Sequence, residues 1–97
     1  MFEKERYATP GVTATIPPIL QLMMWATIDF WGYEGTQLSY FQFFHLSVKD
    51  GVQIIRHFQE EPPKEEEIAI TVTVPVTDSV YVVDDGEYAI MLLASEY

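Results

Sequence analysis

The fold is decided by residues 17–33, which read PPILQLMMWATIDFWGY. Proline is tolerated in the first turn of a helix, because the amide hydrogen that it lacks would be unpaired there. Most of the residues that follow are good helix formers, and Gly32 and Gly35 are typical of a helix end. This stretch therefore predicts one long helix over about residues 17–33, with Thr15 or a neighbour as its N-terminal cap.

The predicted helix is apolar nearly all round. A stripe at i, i+3 and i+4 spacing is formed by Ile19, Leu20, Met23, Met24, Ile28 and Trp31 or Phe30. The back of the helix offers few polar residues, and such a helix is normally buried on more than one side. A chain of 97 residues has difficulty covering both sides of a helix with one sheet.

Two explanations of this surplus apolar surface stay open. In the first, loops and the chain termini cover it. In the second, it contacts another protein chain, either an unknown partner or a second copy in a two-fold homodimer. Trp25 flanks the apolar stripe, and a large ring in such a position is a common interface anchor. We predict that the partner-binding residues are Leu22, Trp25 and Ile28.

Residues 40–59 predict a β-hairpin with its turn at Lys49-Asp50-Gly51, because aromatic and β-branched residues dominate both arms. A two-residue turn would pair Lys49 with Val52. A three-residue turn with a bulge at Gly51 would pair Val48 with Val52. The second register separates polar from apolar side chains more cleanly, so we predict the second register.

The predicted register brings the two histidines of the chain together. His45 and His57 share one face of the hairpin, and the opposite face holds Phe44, Leu46, Ile54 and Phe58. A zinc site needs three or four ligands, and no carboxylate of this hairpin face lies near both rings. We therefore predict ordinary half-exposed histidines and no metal site.

The other segments predict further strands. Residues 7–9 fit a short edge strand, and residues 68–74 alternate aliphatic with small polar side chains as a half-buried strand does. Residues 60–67 carry five carboxylates and two prolines, which predicts a solvated connection. Residues 80–83 predict a strand, and residues 87–94, although rich in helix formers, predict its hairpin partner after the turn at residues 84–86.

These elements predict an α+β fold in one domain over residues 1–97. One long helix at about 17–33 packs on an antiparallel sheet of four to six strands, built from two hairpins.

The charge of the chain excludes whole classes of function. Five Lys and Arg against fifteen Asp and Glu give a net charge of −10. Nucleic acid and anionic membranes both recruit cationic surfaces, so we predict neither as a partner. Cysteine is absent, which excludes disulfides and thiolate metal clusters. The apolar run at residues 16–30 is too short to span a bilayer, and the N-terminus has no secretory pattern, so we expect a cytoplasmic protein.

No motif of the chain indicates a reaction. Phosphate-binding glycine loops and nucleophile elbows are absent, so we predict no enzyme, no catalytic residue and no cofactor. The leading expectation is a small acidic protein-interaction module. The alternative is a small-molecule sensor with an aromatic-lined pocket between helix and sheet, for which the candidate lining residues are Phe41, Phe43, Tyr81 and Tyr88.

Three segments carry a family resemblance. They are residues 1–9, MFEKERYAT; residues 15–17 and 20–29, TIP and LQLMMWATID; and residues 83–88 and 91–97, VDDGEY and MLLASEY. Together they resemble family 960 of the domains of unknown function, short proteins found mainly in low-GC Gram-positive bacteria. The resemblance implies a free-standing small cytoplasmic protein with no larger enzyme attached, and it assigns no catalytic residue.

Overall fold

A computed structural model describes residues 1–97. Two helices and a short 3-10 turn accompany six strands. In chain order the elements are β1 (Arg6–Ala8), α1 (Pro10–Thr15), α2 (Pro18–Tyr33), β2 (Phe41–Lys49), β3 (Val52–Glu60), β4 (Pro63–Ile70), β5 (Asp78–Asp84), β6 (Ala89–Leu93) and the 3-10 turn Ala94–Glu96. The strands form one sheet in the order β1-β6-β5-β2-β3-β4.

The predicted α+β class is confirmed, with a six-stranded sheet. Every neighbouring pair of strands is antiparallel except β1 and β6, which are parallel. The prediction of two hairpins is wrong, because β4 pairs with β3 and makes a third hairpin connection. The predicted strand over residues 87–94 is confirmed in β6, and the predicted edge strand near residue 7 in β1.

The predicted long helix is α2, which begins at Pro18 and ends at Tyr33. The shorter helix α1 was not predicted, because Pro10-Gly11 was interpreted as a break. Thr9 caps α1 by accepting a hydrogen bond from the Val12 amide at 3.3 Å, and Pro10 occupies its first turn. Neither helix is long and apolar enough to cross a membrane.

Both helices contribute to a core on one face of the sheet. α1 contributes Val12, and α2 contributes the fully buried Leu20, Met24 and Ile28. The strands contribute Phe44, Leu46, Ile55, Val80, Val82, Ala89, Met91 and Leu93. Strand side chains alternate between faces, so the residues between these point to the other face, over which no helix lies.

The predicted hairpin register is wrong. Lys49 pairs with Val52 across a two-residue turn, in which both Asp50 (φ 52°) and Gly51 (φ 78°) have positive φ. Such turns match the twist of the two strands, and Asp-Gly is a preferred sequence for them. The turn geometry therefore prevails over the cleaner polar pattern, and a slip of one residue turns every side chain of β3 to the other face.

The observed register separates the two histidines. His57 faces the core opposite Phe44, whereas His45 pairs with Arg56 and is exposed on the other face. Ile54 and Phe58, predicted to lie opposite the histidines with the core residues, share the face of His45 and are half-buried.

The acidic segment after β3 is a strand and not the predicted connection. Glu60 pairs with Pro63, and β4 continues to Ile70 along the edge of the sheet. Its carboxylates are tolerated because an edge strand has one side free and its residues remain exposed or half-buried. The predicted strand over 68–74 consequently ends four residues early, at Ile70.

Candidate protein-interaction surface

The outward side of α2 carries a row of apolar side chains. Ile19, Leu22, Ala26, Phe30 and Tyr33 follow one another three or four residues apart, which places them side by side on the helix. All five are exposed, with Leu22 at 64%, Phe30 at 54% and Tyr33 at 90%. We call these five residues the outer row. An isolated monomer rarely leaves such a continuous apolar stripe in water.

The outer row contains only one of the three predicted partner-binding residues, Leu22. Trp25 is half-buried beside the row, and the Cζ atom of Arg6 lies 4.7 Å from the centre of its ring. Arg6 also pairs with Asp29. Ile28 is fully buried in the core, so its assignment as a partner-binding residue is corrected. It lies in line with the buried stripe of α2, because residues four apart share one side of a helix.

A groove extends the outer row toward the edge of the sheet. It encloses about 330 Å³ and is lined by Ala26, Thr27 and Phe30 of α2 and by residues 66–68 of β4. The Thr27 hydroxyl donates a hydrogen bond to the Met24 carbonyl oxygen at 2.9 Å, so it offers the groove no free donor. The groove is therefore apolar on its helix side and acidic on its strand side.

A buried polar cluster lies beneath the C-terminal half of α2. The His57 ring is stacked between Trp31 (3.7 Å between ring centres) and Phe44 (4.3 Å). Its Nε2–H donates to Gln42 Oε1 at 2.7 Å, because the Gln42 amide nitrogen already donates to Gln59 Oε1 and to the Ser39 carbonyl oxygen, both at 2.8 Å. The hydrogen bonds of this cluster connect the sheet to Ser39, in the segment that precedes β2.

The environment of His57 keeps its ring neutral. Burial and, to a smaller extent, the positive charge of Lys64 lower the pKa of His57 to about 3. The ring is closed to solvent, with no exposed surface. His57 thus serves as a packed hydrogen-bond donor, and no substrate reaches it in this conformation.

The second face of the sheet, which we call the open face, is aromatic at its centre. The strand register places Phe41, Phe43 and Tyr81 side by side on β2 and β5, with Phe58 next to Phe43 on β3. Phe43 and Phe58 stack with ring centres 4.8 Å apart, and Tyr97 meets Phe41 at 5.3 Å. These rings pack against one another and are half-buried, and Tyr97 at the C-terminus also lies 5.6 Å from the Tyr81 ring centre.

The aromatic residues proposed for a ligand pocket lie on this open face and not between helix and sheet. Phe41, Phe43 and Tyr81 are half-buried there, and Tyr88 meets Tyr7 edge-on at 5.3 Å near the β1 edge. The layer between α2 and the sheet is filled by fully buried core side chains. The open face has a shallow cavity of about 320 Å³, lined by Phe43, Phe44, His45, Arg56, Phe58, Ser79 and Tyr81.

Comparison with known proteins gives the family. A family model described as "Staphylococcal protein of unknown function (DUF960)" matches residues 5–96. The chain belongs to this DUF960 family. The resemblance seen in the sequence is thereby confirmed.

The fold of this DUF960 chain also occurs in a solved structure. It is similar to a structure titled "Crystal structure of the protein of unknown function from Enterococcus faecalis", with a TM-score of 0.83 and 24% sequence identity. The likeness covers 97% of this chain and 91% of that chain. A comparison with curated proteins found no match.

The sequence of this DUF960 protein shows the apolar residues of the outer row, but the sequence alone does not distinguish them from the buried stripe of α2. The spacing that identifies the buried stripe of α2 also fits Ile19, Leu22, Ala26, Phe30 and Tyr33. Which of two apolar rows is buried depends on where the sheet lies. The open face was missed for a different reason, because the wrong register placed Phe58 in the core and His57 on the surface.

Proposed function

We propose that this protein is a non-catalytic, cytoplasmic protein-interaction module that pairs with a second copy of itself through the outer row of α2. The observation that supports the proposal is the continuous exposure of Ile19, Leu22, Ala26, Phe30 and Tyr33. Burying an exposed Leu or Phe side chain contributes about 1.5–3 kcal/mol, so a few such residues suffice to anchor an interface.

The distribution of charge supports a second copy as the partner. The outer row contains no ionisable side chain other than the phenol of Tyr33, although the chain as a whole carries a net charge of −10. Two helices packed by this row therefore bring no carboxylates together at their centre. A two-fold arrangement also uses the same patch on both protomers, which a single self-complementary row satisfies.

Replacing Leu22 or Phe30 by Glu is expected to convert a dimer into a monomer. The new carboxylates would face each other in a desolvated contact, which should weaken association at least about thirtyfold, or 2 kcal/mol. Light scattering after gel filtration should show a mass about twice the chain mass of 11.2 kDa for the wild type and the single chain mass for the variants.

Val48→Glu is the matched control for this experiment. Val48 is 41% exposed near the tip of the β2–β3 hairpin and lies outside the outer row, and the change adds the same charge at another exposed apolar position. It should leave the dimer intact, while thermal unfolding verifies that all variants fold. A wild type that stays monomeric at high micromolar concentration, or a dimer that survives both helix variants, would refute pairing through the outer row.

Added salt is expected to strengthen the dimer. Each protomer carries a net charge of −10, so association must overcome repulsion between the parts of the two chains outside the contact. Screening reduces this repulsion and leaves the apolar contact unaffected. Sedimentation equilibrium at low and at physiological salt should therefore give a lower Kd at the higher salt, and a Kd that rises with salt would indicate a contact based on ion pairs.

A further inference from the structure

The outer row is symmetric about its central residue, Ala26. Leu22 and Phe30 lie four residues before and after it. Ile19 and Tyr33 lie seven residues before and after it. Because a helix advances by a constant rise and a constant angle per residue, positions that mirror one another in sequence also mirror one another in height and in angle around α2. A two-fold axis that passes beside Ala26 at right angles to α2 therefore lays the row of one copy on the row of another copy that runs in the opposite direction.

The sizes of the side chains favour this antiparallel arrangement over a parallel one. Both rings of the row, Phe30 and Tyr33, lie after Ala26, and both long aliphatic side chains lie before it. In a parallel pair the rings of the two copies would meet at one end and hold the aliphatic ends apart. In an antiparallel pair each ring lies beside an aliphatic side chain, so the contact has the same width at both ends, and the small Ala26 lets the helices approach at the centre.

The charges around α2 also favour the antiparallel arrangement. Its C-terminal half is flanked by the acidic groove and by a cavity of about 260 Å³, which together are lined by four carboxylates, those of Glu3, Asp29, Glu66 and Glu67. Of these four, only Asp29 is paired with a Lys or Arg side chain.

The N-terminal half of α2 has the opposite character. Residues 18–25 include no ionisable side chain, and no side chain caps the start of the helix. The free amide groups of the first turn make that end partly positive. A parallel pair would bring two acidic ends together, whereas an antiparallel pair sets each acidic end beside the partly positive end of the other helix.

We propose that the two α2 helices of the pair run antiparallel, with Ala26 at the two-fold axis, an inference that rests on the proposed function. Leu22 of each copy packs beside Phe30 of the other copy. Ile19 of each copy packs beside Tyr33 of the other copy, at the two ends of the contact. The direction of the second helix is thus specified by the order of small, aliphatic and aromatic side chains along one row.

The absence of cysteine from the chain allows a cross-linking test without background. Each variant carries one new cysteine and is mildly oxidised, and non-reducing electrophoresis measures the disulfide-linked dimer. A disulfide requires Cα atoms about 4.4–6.8 Å apart, a distance that only residues near the two-fold axis reach with their own copies. Ala26→Cys should therefore link to itself at least about ten times more than Val48→Cys, which lies outside the row and measures chance collisions.

Cysteines away from the axis distinguish the two directions. Tyr33→Cys lies about 21 Å along the helix from its own copy in an antiparallel pair, so it should not exceed the Val48→Cys level. Leu22→Cys and Phe30→Cys should each stay at that level alone and should link to each other when the two variants are mixed. In a parallel pair each of these variants would link to its own copy instead.

A mixture of two charge variants tests the direction without oxidation. Leu22→Lys and Phe30→Glu chains place the new Lys beside the new Glu only if the helices are antiparallel. Their heterodimer should therefore be at least about tenfold tighter than the homodimer of either variant. The matched mixture of Leu22→Lys with Leu22→Glu brings its charges together only in a parallel pair and should show no such gain. Light scattering after gel filtration measures both mixtures, and thermal unfolding verifies that every variant folds.

The possible outcomes separate the direction of the helices from the pairing itself. A dimeric wild type in which Tyr33→Cys and Leu22→Cys each link to their own copies, or in which only the Leu22 mixture gains affinity, would overturn the antiparallel direction while pairing through the outer row stands. A dimeric wild type in which no cysteine of the outer row exceeds the Val48→Cys level would overturn both. A wild type that stays monomeric would refute the proposed function, and the antiparallel pair with it.

Discussion

Lowering the pH from 7 to 5 is expected to reduce the free energy of unfolding by about 2 kcal/mol through His57 alone. The folded protein holds the pKa of His57 at about 3, whereas in the unfolded chain it returns to its ordinary value of 6.5. Between these two values the unfolded chain binds a proton that the folded protein does not. The stabilisation is therefore complete above pH 6.5 and is lost as the pH falls toward 3.

Urea unfolding at several pH values measures this effect. Measurements above pH 5 separate the contribution of His57 from that of the carboxylates. The pKa values of Glu65 and Glu96 are lowered by hydrogen bonds from Arg56 and from Thr9, so these acids also lose stabilisation on acidification. Their protonation takes place below their ordinary value of 4.5 and contributes little above pH 5.

Two variants test whether His57 is the cause. His57→Gln cannot titrate, so its unfolding free energy should be nearly independent of pH between 7 and 5, even though the variant is less stable at pH 7. His45→Gln removes the exposed histidine of the same hairpin and should retain the wild-type slope. A wild-type slope that persists in His57→Gln would refute the assignment.

Replacing Ile28 by Ala is expected to lower the free energy of unfolding by about 2–5 kcal/mol, since a buried cavity remains where the side chain was. Ile28 is fully buried between α2 and the sheet. The matched change Leu22→Ala, in the same helix, removes a side chain that is 64% exposed. It should alter the unfolding free energy of the monomer by no more than about 0.5 kcal/mol.

The two Ala variants separate the roles of the residues that the sequence grouped together. Unfolding should be followed at a concentration low enough to keep the protein monomeric, because a dimer adds its own stabilisation. Leu22→Ala should weaken association while Ile28→Ala weakens the fold. Equal destabilisation by both changes would show that the outer row is part of the core.

The elements that could be predicted are those with strong local signals. The proline pair and the run of Leu, Met and Ala specify α2, and its predicted limits differ from the observed ones by one residue at its start. The Asp84-Asp85-Gly86 turn specifies the hairpin of β5 and β6, where Asp84 and Asp85 accept hydrogen bonds from the amides of Gly86 and Glu87. Each of these signals acts between residues close in the chain.

The alternation of polar and apolar residues could not predict the register of β3, because both faces of the hairpin are apolar. One face is buried by the helices and the other is aromatic, so alternation alone does not indicate which face is the core. Polar residues can then occupy the core side if distant partners satisfy them. Gln53 does so by pairing with both backbone groups of Val76, accepting from its amide at 2.8 Å and donating to its carbonyl oxygen at 3.0 Å.

The sequence by itself determined α2, most of the strands, the positions of the two Asp-Gly turns and the strongly acidic character of this protein, since these depend on local conformational preference and on composition. Only the tertiary structure decided that Ile28 is buried while Leu22 is exposed, that His57 is enclosed and that Phe58 joins an open aromatic face. The physical reason is that burial is a property of contacts between distant segments. The chain has more apolar surface than one core can cover, and the position of the sheet decides which part remains outside.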